Sequence, residues 1–374
     1  MQRSFMWISC CLMLAYYQGI GQARTYVNEF LNLGAGARGL AMGTAQVAVT
    51  DNVTSGYWNP AGLTQLDAPQ LSLMHAAYFS GIGNYDFASA AFPLSSQHDV
   101  LGVTLLRFAV DDIPNTLYLV NPDGSVNYDQ VTTFSAADYA LLCSYARNIP
   151  LNQSGDDART LQVGGNVKII HRVVGSFASS WGFGLDAGLQ YRLPHWIFGL
   201  MLKDITTTFN AWTFHFTDAE KQILFLTEND IPVKSTEITM PQLIPAVAWD
   251  MQIHQKWHVL IETDIAVTTD GKRNTLISGK KISLDPRMGL ELSYRHMVFV
   301  RAGISHLQRT QDDADTTGRH QIWISQPAVG AGFQVKGFQL SYAFTNLANQ
   351  SQPLYSHIFS LDIDIPHKKK SAAY

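Results

Sequence analysis

The feature that most constrains this chain is an alternation of period two that recurs through its middle and C-terminal parts. In the stretch 181–193, Trp181, Phe183, Leu185, Ala187, Leu189, Tyr191 and Leu193 hold the odd positions, and Gly182, Gly184, Asp186, Gly188, Gln190 and Arg192 the even ones. Successive side chains of an extended strand point to opposite faces, so such a segment has one greasy face and one small or polar face. The pattern returns with Leu161, Val163, Val167, Ile169 and Val173 against Gln162, Asn166, Lys168 and Arg172. Two more copies follow, Phe338, Leu340, Tyr342 and Phe344 against Gln339, Ser341, Ala343 and Thr345, then Tyr355, Phe359, Leu361, Ile363 and Ile365 against Ser356, Ser360, Asp362 and Asp364.

Composition decides what such strands build. A soluble sandwich or a lipid-binding barrel also alternates, but its outward face carries many Lys and Glu. Here charged residues make up only 15% of the chain, against about 25% in soluble proteins. The polar face is instead rich in Gly, Ser and isolated charges, which suits a lumen. Mean hydropathy is -0.01, and no stretch after residue 23 approaches the ~20 apolar residues of a membrane helix. Trp181, Tyr191, Trp196, Trp249 and Tyr355 fall near strand ends, where aromatic girdles are expected. The expected fold is all-β, a transmembrane antiparallel β-barrel. A formal net charge of -4 gives no support for nucleic-acid binding.

Strand parity gives about fourteen strands between residues 70 and 365, most long enough to cross a bilayer at a tilt. Short links fall at Pro194, 254–257, Met297 and 336–337, and long ones at 110–137, 206–241, 268–283 and 307–326. Long loops outside and short turns in the periplasm are the outer-membrane pattern, and an even count puts both termini in the periplasm. Met1 to Ala23 reads as a signal peptide, with Arg3, an apolar run and the small-x-small close Gly21-Gln22-Ala23. Cys10 and Cys11 lie within it, so Cys143 is left without a disulfide partner. The expected organisation is a signal peptide (1–23), an N-terminal plug (24–69), the barrel (70–365) and a basic tail (366–374) with Lys368, Lys369 and Lys370.

The plug segment is dense in small residues. Gly34, Gly36 and Gly39 satisfy G-x-G-x-x-G, but that motif binds dinucleotides only inside a βαβ unit, and antiparallel alternation follows here. Small residues at this density let backbone pack against backbone. Asn59-Pro60-Ala61 holds Asn59 extended and lets Pro60 open a short helix. The stretch "FLNLGAGARGLAMGTAQVAVTDNVTSGYWNPAGL" (30–63) resembles the opening of the PorV/PorQ family of outer-membrane proteins. "GFGLDAGLQYRLPHWIFGLMLKDI" (182–205) and "YAFTNLANQSQPLYSHIFSLDI" (342–363) are similar to hairpins of that family. The family is related to the FadL-type fatty-acid transporters, which share the Asn-Pro-Ala element. The resemblance implies a fourteen-stranded barrel. It also implies a role in type IX secretion, with exported cargo or translocon proteins as partners, while passive transport of a small hydrophobic molecule is the alternative. The plug motif is then Gly34, Arg38, Gly43, Asp51, Asn59, Pro60 and Ala61.

Other constellations carry little chemistry. The twelve histidines form no H-E-x-x-H pair, and Asp313, Asp315 and Gly318 lack the glutamate that closes a calcium loop. No G-x-S-x-G elbow occurs. No catalytic, cofactor or metal site is expected, and the protein reads as a non-enzyme in contact with outer-membrane lipid. Charges of inward parity, among them Lys168, Arg172, Asp186, Arg192, Lys203, Glu262, Asp264, Glu291, Arg295 and Arg301, mix both signs and suit a salt-bridged interior in which Arg38 and Asp51 take part. The 206–241 loop carries Trp212, Phe214, Phe216 and Phe225, apolar content that fits capture of a partner or folding over the barrel mouth.

Overall fold

The computed structural model describes residues 27–94, 99–121, 123–151, 160–231, 235–311, 321–346 and 355–365. The signal-peptide reading, residues 24–26, the Asp313–Gly318 loop and the basic tail lie outside them. Seventeen strand segments form one antiparallel sheet: β1 (Gln70–Tyr78), β2 (Gly83–Pro93), β3 (Val100–Asn115), β4 (Thr132–Pro150), β5 (Thr160–Val174), β6 (Ala178–Arg192), β7 (Trp196–Lys203), β8 (Thr208–Phe214) and β9 (Ser235–Thr239) come first. β10 (Gln242–His254), β11 (Trp257–Thr268), β12 (Ile277–Ser278), β13 (Ser283–Tyr294), β14 (Val298–Gln311), β15 (Gln321–Val335), β16 (Phe338–Asn346) and β17 (Tyr355–Asp364) follow.

The wall itself has 14 strands. β7 and β8 both pair with β6 and are two halves of one strand, interrupted at 204–207. β9 and β10 are likewise halves of its neighbour, since β9 pairs with β8 and β10 with β7. β12 is a two-residue ribbon on the end of β13. β1 pairs with β17 from Gln70↔Asp364 to Ala77↔His357, so the sheet closes and leaves no edge.

Parity sets the two faces. On β3, Leu101, Val103 and Leu105 are exposed while Val100, Thr104 and Leu106 are buried; on β6, Trp181, Phe183 and Leu189 are exposed while Ser180, Asp186 and Gln190 are buried. The apolar face points out to lipid and the mixed face points in. Among the described residues no helix is long and apolar enough to cross a membrane, so crossing falls to the strands. Cys143 is exposed and free, on the outward parity of β4.

Two expectations are corrected. β3 and β4 continue to Asn115 and from Thr132, and β8 with β9 builds a paired arm inside 206–241, so much of both long loops is sheet. The alternation of 208–214 was hidden because its polar positions are Thr and Asn and its run is short. Arg295 shares lumen parity by count, but it sits in a tight turn with His296, both at positive φ (54° and 51°). Positive φ at two successive residues is the turn that matches strand twist.

Candidate functional site

Residues 27–69 lie inside the barrel, against β3 to β6 on one side and β14 to β17 on the other. Short helices at Ala37–Ala41 and Ser55–Trp58 and a 3-10 turn at Pro60–Gln65 give this segment its shape. Between Gly34 and Thr64 every residue is buried except Arg38, Asp51 and Asn52. Small residues make this possible. Gly43 adopts φ +62 where its Cα meets the backbone of Gly303 and Ile304, and a Cβ there has no room. On the wall, Gly188 faces the Asn59 amide and Pro60 in the same way.

Polar wall side chains take up plug backbone groups. Glu262 accepts from Ala48 N (2.6 Å), and Asp264 accepts from Gln46 N and Val47 N (3.0 and 3.2 Å). Asn59 Nδ2 donates to Val47 O (2.9 Å) in the plug and to Leu189 O (3.0 Å) in the wall, while its Oδ1 accepts from Ala61 N. Asn59 therefore caps the Pro60–Gln65 turn and ties it to β6. Gly34 N donates to the Tyr57 hydroxyl, which in turn donates to Leu31 O. Each bond satisfies a buried group that would otherwise cost about 1–3 kcal/mol.

Above the plug, at the long-loop end, the inward face is aromatic. Asn210 donates to Asn28 Oδ1 at the top of the plug (2.7 Å), and on the same face of β8 Trp212 and Phe214 come next, with Phe216 beyond. Phe214 stacks on Trp212 and on Phe216, and Phe177 meets both Phe216 and Phe134. All five rings are half-buried. Two clefts, of about 360 and 370 Å³, adjoin them. Arg172 lies over the Trp212 ring at 5.2 Å, held by Asp138 and Glu237. Phe225 is apart, 75% exposed on the helix Asp218–Leu226, whose capping box is Thr217 with Glu220.

The wall is interrupted beside this mouth. Opposite Gly184, Leu185 and Asp186 of β6, the ladder between β7 and β8 is replaced by 204–207, with Asp204 and Thr207 at positive φ. Asp204 N donates to Asp186 (2.8 Å), Thr208 donates to Asp204, and the buried Lys168 ammonium bridges Asp186 (2.7 Å) and Asp204. Lys203, just before the break, donates to Leu31 O and Asn32 Oδ1 of the plug (both 3.1 Å). Outside, the break borders a depression of about 460 Å³ walled by Leu101, Cys143, Tyr145, Val167, Leu185 and Ile205.

At the short-turn end the inward face is charged. Arg38 meets Glu291 (3.0 Å) and Asp51 (2.7 Å), and Arg301 meets Glu291 (2.6 Å). They border a chamber of about 300 Å³ below the plug. At the other end, in the β11–β12 loop, Arg273 pairs with Asp270 and Glu29. Burial alone would lower its pKa, but these two carboxylates raise it above the ordinary value. Among the described residues no group of three His, Cys, Asp or Glu side chains is placed to hold a metal.

No protein-family model and no curated protein matches the sequence. Solved structures do. The Pseudomonas putida toluene transporter TodX aligns at TM-score 0.52 and 12% identity, over 88% of this chain and 97% of that one. The Ralstonia pickettii toluene transporter TbuX gives 0.53 and 11%, over 89% and 99%. The CymD monoaromatic hydrocarbon channel gives 0.54 and 13%, over 90% and 98%. The fold is the one these channels share. At such identity the likeness carries the architecture alone, and the secretion role implied by the PorV/PorQ resemblance has no counterpart among these three.

The sequence-derived residues separate into three places. Gly34, Arg38, Gly43, Asp51, Asn59, Pro60 and Ala61 all lie in the plug, where Arg38 and Asp51 pair and the Asn59-Pro60-Ala61 turn rests on β5 and β6. Trp212, Phe214 and Phe216 cluster at the mouth, and Phe225 does not join them. Sequence reasoning missed Phe134, Phe177 and Asp204. Phe134 shares inward parity with Asp138 and Ala140, a signal that could have found it; Asp204 has none, because the break follows no Gly or Pro.

Proposed function

We infer that this protein is a non-enzymatic outer-membrane channel for small hydrophobic molecules, with the long-loop end outward and both termini periplasmic. The observation that carries this reading is the inward-facing cluster of Phe134, Phe177, Trp212, Phe214 and Phe216 directly above the plug. Apolar surface at a solvated mouth lowers the free energy of an apolar solute by roughly 25 cal/mol per Å² removed from water. The toluene and monoaromatic hydrocarbon descriptions of TodX, TbuX and CymD support the same substrate class. Below the mouth, Phe30 and Leu31 of the plug pack with Tyr78, Tyr85, Phe87 and Leu142 of the wall in one buried apolar cluster. The irregular segment 204–207, closed here by Ile205 N donating to Leu185 O (2.9 Å) and by Lys168 between Asp186 and Asp204, is then where an exit through the wall into lipid opens, with Lys203 joining it to the plug. Cells carrying the protein should take up toluene faster than cells without it, and Trp212→Ser with Phe214→Ser should remove the gain.

A second reading keeps the PorV/PorQ resemblance and assigns a type IX secretion role. It is favoured by the helix Asp218–Leu226, where Phe225 and Leu226 are 75% and 69% exposed. Pull-down from native membranes separates the two, since secretion cargo or translocon proteins should be captured only under this reading.

A further inference from the structure

The chamber at the short-turn end has charges that are unequally engaged. Glu291 receives Arg38 and Arg301, Asp51 receives Arg38, and Asp250 meets His258 Nδ1 at 2.9 Å. Arg192 differs. Among the described residues no carboxylate lies within ion-pair distance of it, its Nη2 makes two long bonds to Thr50 O and Gln190 Oε1 (3.3 and 3.4 Å), and its Nη1 makes none. Among the chamber's charged and polar lining stand the buried apolar side chains Val49, Ile197, Leu260 and Phe299, the last with the Arg301 guanidinium over its ring at 4.8 Å. Arg192 of the wall and Val49 of the plug thus line one space.

These two walls ask for different halves of one ligand. A guanidinium with an unspent edge is matched by a planar oxyanion, which it binds through short charge-assisted bonds. An apolar wall is matched by a compact hydrocarbon body. About 300 Å³ is at the lower end of ligand pockets, roughly 300–1,000 Å³, so the body is small. We propose that this chamber binds a compact carboxylic acid in its ionised form, the carboxylate on Arg192 and the apolar body against Leu260 and the plug residue Val49. Because the ligand touches both β6 and the plug, it joins the two. The site does not depend on the uptake reading, since it lies below the plug, away from the aromatic mouth.

The test is calorimetric titration of the full-length protein in detergent with benzoate, benzamide and inorganic phosphate. Benzoate should bind saturably. Benzamide lacks the charge and phosphate the body, and each should bind weaker by about tenfold or more. Arg192→Gln should weaken benzoate by about tenfold or more, and Arg192→Lys less, because a point charge replaces the fork. Leu260→Ala provides a second variant that leaves Arg192 intact, and it should also weaken benzoate. Absence of saturable benzoate binding, equal affinity for benzamide, equal affinity for phosphate, or unchanged affinity in a folded Arg192→Gln would each overturn the proposal. Intact benzoate binding in a protein that fails to speed toluene entry would sink the channel reading and leave this site standing.

Discussion

The two ends of the lumen are made by the same strands with opposite chemistry. At the mouth the inward positions of β4 and β8 carry Phe134, Trp212 and Phe214, and Arg172 is held in a paired role over Trp212. At the short-turn end the inward positions of β6, β13 and β14 carry Arg192, Glu291 and Arg301. The plug lies between, with the buried Asn28 bonded to Asn210 and Thr239 of the wall toward one end and Arg38, Asp51 and Asn52 facing the chamber at the other. An uncharged apolar solute is therefore matched by the aromatic mouth, while the chamber at the other end sets its apolar side chains among charges. The charged end is suited to anchoring the plug, because ion pairs in a confined space fix geometry, and it is poorly suited to passing hydrocarbon.

That contrast can be broken in graded steps. Glu291→Gln leaves Arg38 and Arg301 without their shared carboxylate and should cost about 3–5 kcal/mol in chemical denaturation, while apolar-ligand binding at the mouth stays unchanged. Asn59→Ala removes the bonds to Val47 O and Leu189 O and should cost about 1–3 kcal/mol, read as faster proteolysis of residues 27–69. Trp212→Ser should leave the denaturation midpoint nearly unchanged but weaken apolar-ligand binding about tenfold, or ~1.4 kcal/mol. Smallest of all, Phe225→Ser should change stability by under about 0.5 kcal/mol and leave toluene entry untouched. Loss of partner capture in that variant would favour the secretion reading.

The wall was legible in the sequence because period two is a local property. Trp181 to Leu193 declares both its faces without reference to any neighbour, and closure then follows from the lack of a tolerable edge in lipid. The plug was legible as a density of small residues, but not its contacts: nothing near Asn59 announces that its amide reaches Leu189 O, 130 positions away. The mouth was half legible. Trp212, Phe214 and Phe216 stood out as excess apolar content, whereas Phe134 and Phe177 did not, because only the folded register brings them together. The end of a strand near residue 205 was legible, but its resumption at Thr208 beyond the break was not, because 206–241 reads as one long link.

The most direct test is the rate of radiolabelled toluene entry into cells bearing equal amounts of folded wild-type protein, the Trp212→Ser/Phe214→Ser double variant, or none. Wild-type protein is expected to raise the rate above that of cells without it, and the double variant to return it to that baseline. Equal rates in all three would contradict a hydrophobic channel entered through the aromatic mouth.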